Sequence, residues 1–187
     1  MRMPDTLDKK FAELEHRLLS GYEQIGRGIG VPFLLVLYHP GEETRVRREV
    51  SSLVSKLRAE GRSVDVIDCN DVLLDYLERS DELERAIRAE RRNPSALRDF
   101  GIGDALAEEL VERVRRTEQG MSQPGVVFLT RLGALYPFLL PNVIQERLAG
   151  RRVRVPVVFL VPAEDDNGGD YLFLGVEKAR RYRGTYL

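Results

Sequence analysis

Tryptophan is absent from the 187 residues, cysteine occurs once and histidine twice. The lone cysteine, Cys69, excludes an internal disulfide framework and fits a reducing compartment. His16 and His39 stand far apart, and no G-x-S-x-G run is present to place a serine nucleophile, so hydrolytic chemistry has little to build on. A charge excess of either sign is missing too: 29 Lys and Arg face 30 Asp and Glu. No overall field therefore draws the chain to nucleic acid or to an anionic membrane. No uninterrupted apolar run approaches the roughly 20 residues that cross a bilayer. Met1-Arg2-Met3-Pro4-Asp5 leads into a charged helix rather than an apolar leader core. A cytoplasmic protein is the expectation. Phosphate-binding loops are lacking as well, since neither G-x-x-x-x-G-K-[ST] nor a strand-linked G-x-G-x-x-G occurs.

What is present is an alternation of apolar strands and amphipathic helices. The spacing predicts a helix over 5–26, capped by Asp5, inside an N-terminal helical segment 1–28 closed by the glycines at 26, 28 and 30. A strand at 33–38, a helix at 42–60 and a strand at 63–68 form a βαβ unit, which implies parallel strands and a right-handed crossover. Asn70 is the expected cap of a helix at 71–79. The polar stretch 81–119 reads as a helical excursion at the rim of the sheet, broken around Asn93-Pro94 and at Gly101-Ile102-Gly103. After a linker at 120–124 come a buried strand at 125–130, an irregular helix within 133–150 entered at Pro141, and a strand at 155–161. The turn-forming run 165–170 leads to a short antiparallel strand at 171–174, and a basic-aromatic tail, 177–187, closes the chain. The expected fold is a single three-layer, Rossmann-like α/β domain over 1–187. It has a mainly parallel sheet, helices on both faces and a short antiparallel C-terminal strand.

The chemistry centres on the loop after the first strand. His39-Pro40-Gly41-Glu42-Glu43 stands where a phosphate loop would be, with two carboxylates in place of glycines and a lysine. Those carboxylates repel phosphate but favour a helix N-terminus, so the loop reads as a helix start or as a surface for a cationic or protein ligand. Gly101 to Leu110 resembles a helix–hairpin–helix turn, with Arg91 and Arg92 nearby and Gly101 and Gly103 offering amides to phosphate. Asp104, Glu108 and Glu109 oppose that use, because phosphate contacts dominate such affinity. The Asp165–Asp170 run lacks the twelve-residue calcium pattern. No catalytic residue, metal or cofactor is expected, although a degenerate nucleotide-binding domain stays open as an alternative. Two segments suit a protein interface: the apolar Leu132–Leu140 loop and the tail. Core packing for the first and a solvated terminus for the second are the competing readings.

Three pieces carry a family resemblance. They are Leu35-Val36-Leu37-Tyr38-His39-Pro40-Gly41-Glu42-Glu43, then Val127-Phe128-Leu129-Thr130-Arg131-Leu132-Gly133-Ala134-Leu135-Tyr136-Pro137-Phe138-Leu139, and the ending Leu172-Phe173-Leu174-Gly175 through Arg181-Tyr182-Arg183. In order and separation they resemble the BrxB family, the small B component of BREX bacteriophage-exclusion systems. Val161-Pro162-Ala163-Glu164-Asp165 departs from the Pro-Gly type turn associated with that family. The resemblance implies a non-catalytic adaptor in a defence complex. Its implied neighbours are an AAA-type ATPase, a DNA methyltransferase and an alkaline-phosphatase-like PglZ protein, the last as direct partner. Glu42, Glu43, Tyr136, Arg181, Tyr182 and Arg183 are the interface candidates.

Overall fold

The computed structural model describes residues 6–93, 97, 101–122, 124–165 and 169–187. The Asp5 cap, the break at Pro94, part of the 120–124 linker and the centre of the 165–170 turn fall outside the described residues.

Helix α1 (Thr6–Leu19) buries Leu7, Phe11, Leu14 and Leu18, the three- and four-residue steps of one apolar stripe. It ends earlier than expected, at Ser20-Gly21, and a short 3-10 turn at Tyr22–Gln24 follows. Strand β1 (Phe33–Tyr38) is buried along its whole length and leads through a 3-10 turn, Pro40–Glu42, into α2 (Glu43–Ala59). Strand β2 (Ser63–Asp68) runs directly into α3 (Cys69–Arg79). Asp68, not Asn70, caps α3: its extended backbone ends the strand, and its carboxylate accepts the amides of Asn70 at 3.0 Å and Asp71 at 3.4 Å. Asn70 already lies inside the helix and cannot serve as its cap. Helices α4 (Leu83–Arg92) and α5 (Gly103–Gly120) precede β3 (Gly125–Thr130), and a 3-10 turn at Leu132–Leu135 precedes α6 (Pro141–Gly150).

Strand β4 (Val157–Asp165) completes a parallel sheet in which β1 sits beside β4 and β2 beside β3. The crossover from β1 to β2 is therefore not between neighbours, because β3 and β4 come between them. The last part of β4 bends into an antiparallel extension with β5 (Asp170–Phe173) and β6 (Glu177–Arg180). The tail is more ordered than a solvated terminus. It supplies β6 and then β7 (Thr185–Tyr186), which lies parallel to β1 at the edge of the sheet, in the order β2-β3-β4-β1-β7. The backbone amide of Leu187 donates to Leu35 O at 2.9 Å.

Side chains alternate between two cores. Leu34, Val36, Phe128, Val158 and Leu160 face α1 and α2, where Val46, Val50, Leu53 and Leu57 meet them. Phe33, Leu35, Val127, Leu129 and Phe159 face α3, α5 and α6, with Phe33 and Phe159 in an edge-on contact at 5.5 Å. Truncating a residue as enclosed as Leu57 to alanine costs about 2–5 kcal/mol. Helix α5 is no excursion at the rim: Leu106, Ala107, Leu110, Val111 and Val114 are buried against the sheet. The open edge of β2 is covered by side chains, since Arg58 donates to Val64 O at 2.9 Å and Asp65 Oδ1 accepts the Val66 amide at 3.0 Å. No described helix is long and apolar enough to cross a membrane.

Candidate functional site

The loop after β1 is built from its own side chains. His39 Nδ1 accepts the Gly41 amide at 3.1 Å, which shapes the 3-10 turn that opens α2. Glu42 pairs with Arg45 one turn on, at 3.3 Å. Glu43 turns back to the strand and accepts the Tyr38 hydroxyl. Burial pushes the Tyr38 phenol well above its ordinary value, and the hydrogen bond to Glu43 and its charge push it further. Glu42 therefore engages the helix that follows it, and Glu43 ties that helix back to β1.

Across the sheet, Arg131 leaves β3 in a left-handed conformation (φ 52, ψ 37) and reaches the carboxylates of Asp68 and Asp71. The 3-10 turn then places Gly133 beneath the chain's own extension. A Cβ at Gly133 would lie 3.0 Å from Leu174 Cδ2 and 3.2 Å from Pro162 Cγ. The Leu174 amide donates to Pro162 O at 2.8 Å and holds the β5–β6 turn down on this spot. In doubly wound sheets the crevice at the carboxyl ends of the strands is the usual ligand site. Here the β5–β6 turn lies over the Gly133 part of that end, beside an apolar niche of about 250 Å³.

On the other side of β1 a larger cleft, about 480 Å³, opens between α1, the 39–42 loop and the tail. Lys10, whose ammonium donates to Leu37 O at 2.7 Å, lines it together with His39, Glu42, Glu164 and Arg181. His39 Nε2 stands 3.4 Å from Glu164 Oε1. Arg181 lies over the Tyr186 ring at 4.7 Å, and Tyr186 exchanges hydrogen bonds with the Tyr182 backbone. Burial raises the Tyr186 phenol above its ordinary value.

The six interface candidates thus separate. Glu42 and Arg181 share the cleft, whereas Glu43 faces the niche. Tyr182 and Arg183 stack on each other at 5.5 Å. Tyr136 is half-buried in edge contact with Phe173 at 6.3 Å, so much of its ring serves the core. Sequence reasoning missed Lys10, Arg131 and Glu164. Arg131 stood inside the most distinctive segment, while Lys10 and Glu164 carried no local signal.

The family described as BREX protein BrxB matches residues 65–187, more than half of the chain. The chain belongs to the BrxB family. A BREX protein BrxB of Bacillus cereus (strain H3081.97) is 25% identical over 196 residues, covering 100% of this chain and 97% of its own length. No solved structure matches. BrxB membership indicates a component of a BREX system. The family match takes in the Val127–Leu139 segment and the C-terminal ending, and the loop after β1 falls within the full-length alignment.

In this BrxB family member the nucleic-acid candidates lie elsewhere. Arg91 and Arg92 are exposed in the last turn of α4. Gly103 opens α5 hard against the Leu132–Leu140 segment, where an added Cβ would stand 2.4 Å from Phe138 O. Leu106 and Leu110 of the turn are buried in the core. Asp104 and Glu108 both engage Arg147, and Glu108 also engages Arg151, so the acidic start of α5 is matched by α6. Among the described residues no group of three or more His, Cys, Asp or Glu side chains is placed to hold a metal ion.

Proposed function

We propose that this protein is a non-catalytic adaptor of a BREX phage-defence complex, and that its direct partner is the PglZ-like protein of the same system. The supporting observation is the cleft that joins the loop after β1 to the C-terminal strand. There Glu42 and Arg181, far apart in the chain, meet on one ordered surface. Arg and Tyr side chains already stacked, as Arg181 on Tyr186 and Arg183 on Tyr182, lose little entropy on binding and make effective contact points. Where a phosphate loop would stand, the loop after β1 carries Glu42 and Glu43, which repel phosphate.

Size-exclusion chromatography with light scattering, with and without the PglZ-type protein, tests the reading. A joint peak is the expected result, and it weakens when Arg181→Glu and Arg183→Glu are combined without loss of the folded circular dichroism signal. Two separate peaks would overturn it. A gel shift with duplex DNA at low salt addresses the nucleic-acid alternative through Arg91 and Arg92, whose binding would fall steeply as salt rises.

A further inference from the structure

We infer that the niche over the carboxyl ends of β1, β3 and β4 receives an apolar side chain of the protein partner, flanked in the partner by arginine or lysine. This deepens the adaptor reading and rests on it. Pro40, Ala134, Pro162 and Leu174 supply most of the wall. The two prolines have no amide to donate, and the Leu174 amide is already given to Pro162 O. A phosphate or other polar ligand finds little to bind here, whereas an apolar side chain loses water on both sides. The size suits one such residue, since a cavity of about 150 Å³ already admits a benzene ring and this niche measures about 250 Å³. The turn that lays Leu174 into the wall also carries Val176, 62% exposed and the most exposed large apolar side chain among the described residues.

Charge decides the rest of the partner's chemistry. Glu43 forms part of the wall, and its hydrogen-bond donor is the neutral phenol of Tyr38 rather than a cation. The wall holds one carboxylate, Glu43, and one guanidinium, Arg131, whose charge Asp68 and Asp71 already match. Negative charge is therefore in excess around the apolar floor, and the complementary surface is an apolar residue between basic ones.

Affinity for the PglZ-type protein, measured by isothermal titration, tests the assignment. Ala134→Arg fills the niche and Val176→Arg places a like charge at its turn; each should weaken binding at least tenfold. Ser55→Arg, exposed near the far end of α2, should leave affinity within twofold. Unchanged affinity in both niche variants, with an intact wild-type complex, would overturn the niche and leave the adaptor standing. If the wild-type chain forms no complex, the adaptor reading falls and the niche is judged with ¹⁵N-labelled protein and a hexapeptide of Leu-Phe between paired arginines. Salt-sensitive amide shifts confined to Gly133, Ala134, Leu174 and Val176, absent with a glutamate-flanked peptide, would support it. Shifts elsewhere, or none, would refute it.

Discussion

Arg131 grips Asp68 from the neighbouring strand: its Nε lies 2.7 and 2.6 Å from the two carboxylate oxygens, while the same carboxylate caps α3. One side chain therefore ends β2, starts a helix and anchors the turn after β3, where Arg131 holds a left-handed backbone that non-glycine residues adopt at a cost.

Asp68→Ala should lower the unfolding free energy by about 2 kcal/mol, about 1 from the lost cap and up to about 1 from a partly exposed ion pair. Asp68→Asn keeps a capping oxygen and should cost roughly half as much. Urea titration of the three proteins reads this directly. Equal losses in both variants would show that the cap contributes nothing.

Acid should release a second cluster. Burial pushes the Glu109 carboxyl up, but hydrogen bonds from Arg113 and Arg79 and their charges more than reverse this, and its pKa lies below the ordinary range. A depressed carboxylate contributes stability that is complete above the unfolded value of about 4.3 and is lost as pH falls through the folded one. The stability difference between the wild type and Glu109→Gln should be flat from about pH 7 to 5 and shrink below about pH 4. A difference that widens on acidification would contradict the pairing.

The legible and illegible parts of this fold have physical causes. Strands β1 and β3 announce themselves because they are buried on both faces and read as continuous apolar runs. Strand β6, Glu177-Lys178-Ala179-Arg180, buries only Ala179; it is a strand because β5 pairs with it, a relation no local pattern records. Strand β7 has two residues, too few for any period to show. Helix α5 did carry its apolar stripe, but its charged residues masked it and suggested a rim location. The loop after β1 was legible as a helix start. The Arg131–Asp68 grip was not, because 63 residues separate the partners.

Two glycines at helix ends should respond oppositely to the same change. Gly103→Ala drives a Cβ to 2.4 Å from the backbone oxygen of Phe138, and neither helix start nor turn is a flexible side chain that can yield. The cost should be about 1–3 kcal/mol, as for other overpacked sites. Gly150, in the last turn of α6, has no heavy atom within 4 Å of an added Cβ. Gly150→Ala should stabilise by up to about 1 kcal/mol. Thermal melts of the pair decide it, and a tolerated Gly103→Ala would mean that α5 does not seat on the Leu132–Leu140 segment as described.

Cys69 offers a reporter for the β2–α3 junction that Asp68 caps. It is fully buried at the start of α3. Burial pushes its thiol well above the ordinary value, the Asp68 charge adds to that, and Arg131 only partly offsets it. The thiolate is the reactive form, so a disulfide reagent such as DTNB should leave the native protein untouched in mildly alkaline buffer and titrate one thiol after denaturation in guanidinium. Removing the Asp68 carboxylate lowers the barrier to opening the β2–α3 junction, so Asp68→Ala should label faster than wild type even while still folded. Equal labelling rates in the two proteins would place the opening motion elsewhere; rapid labelling of the wild type would contradict the burial itself.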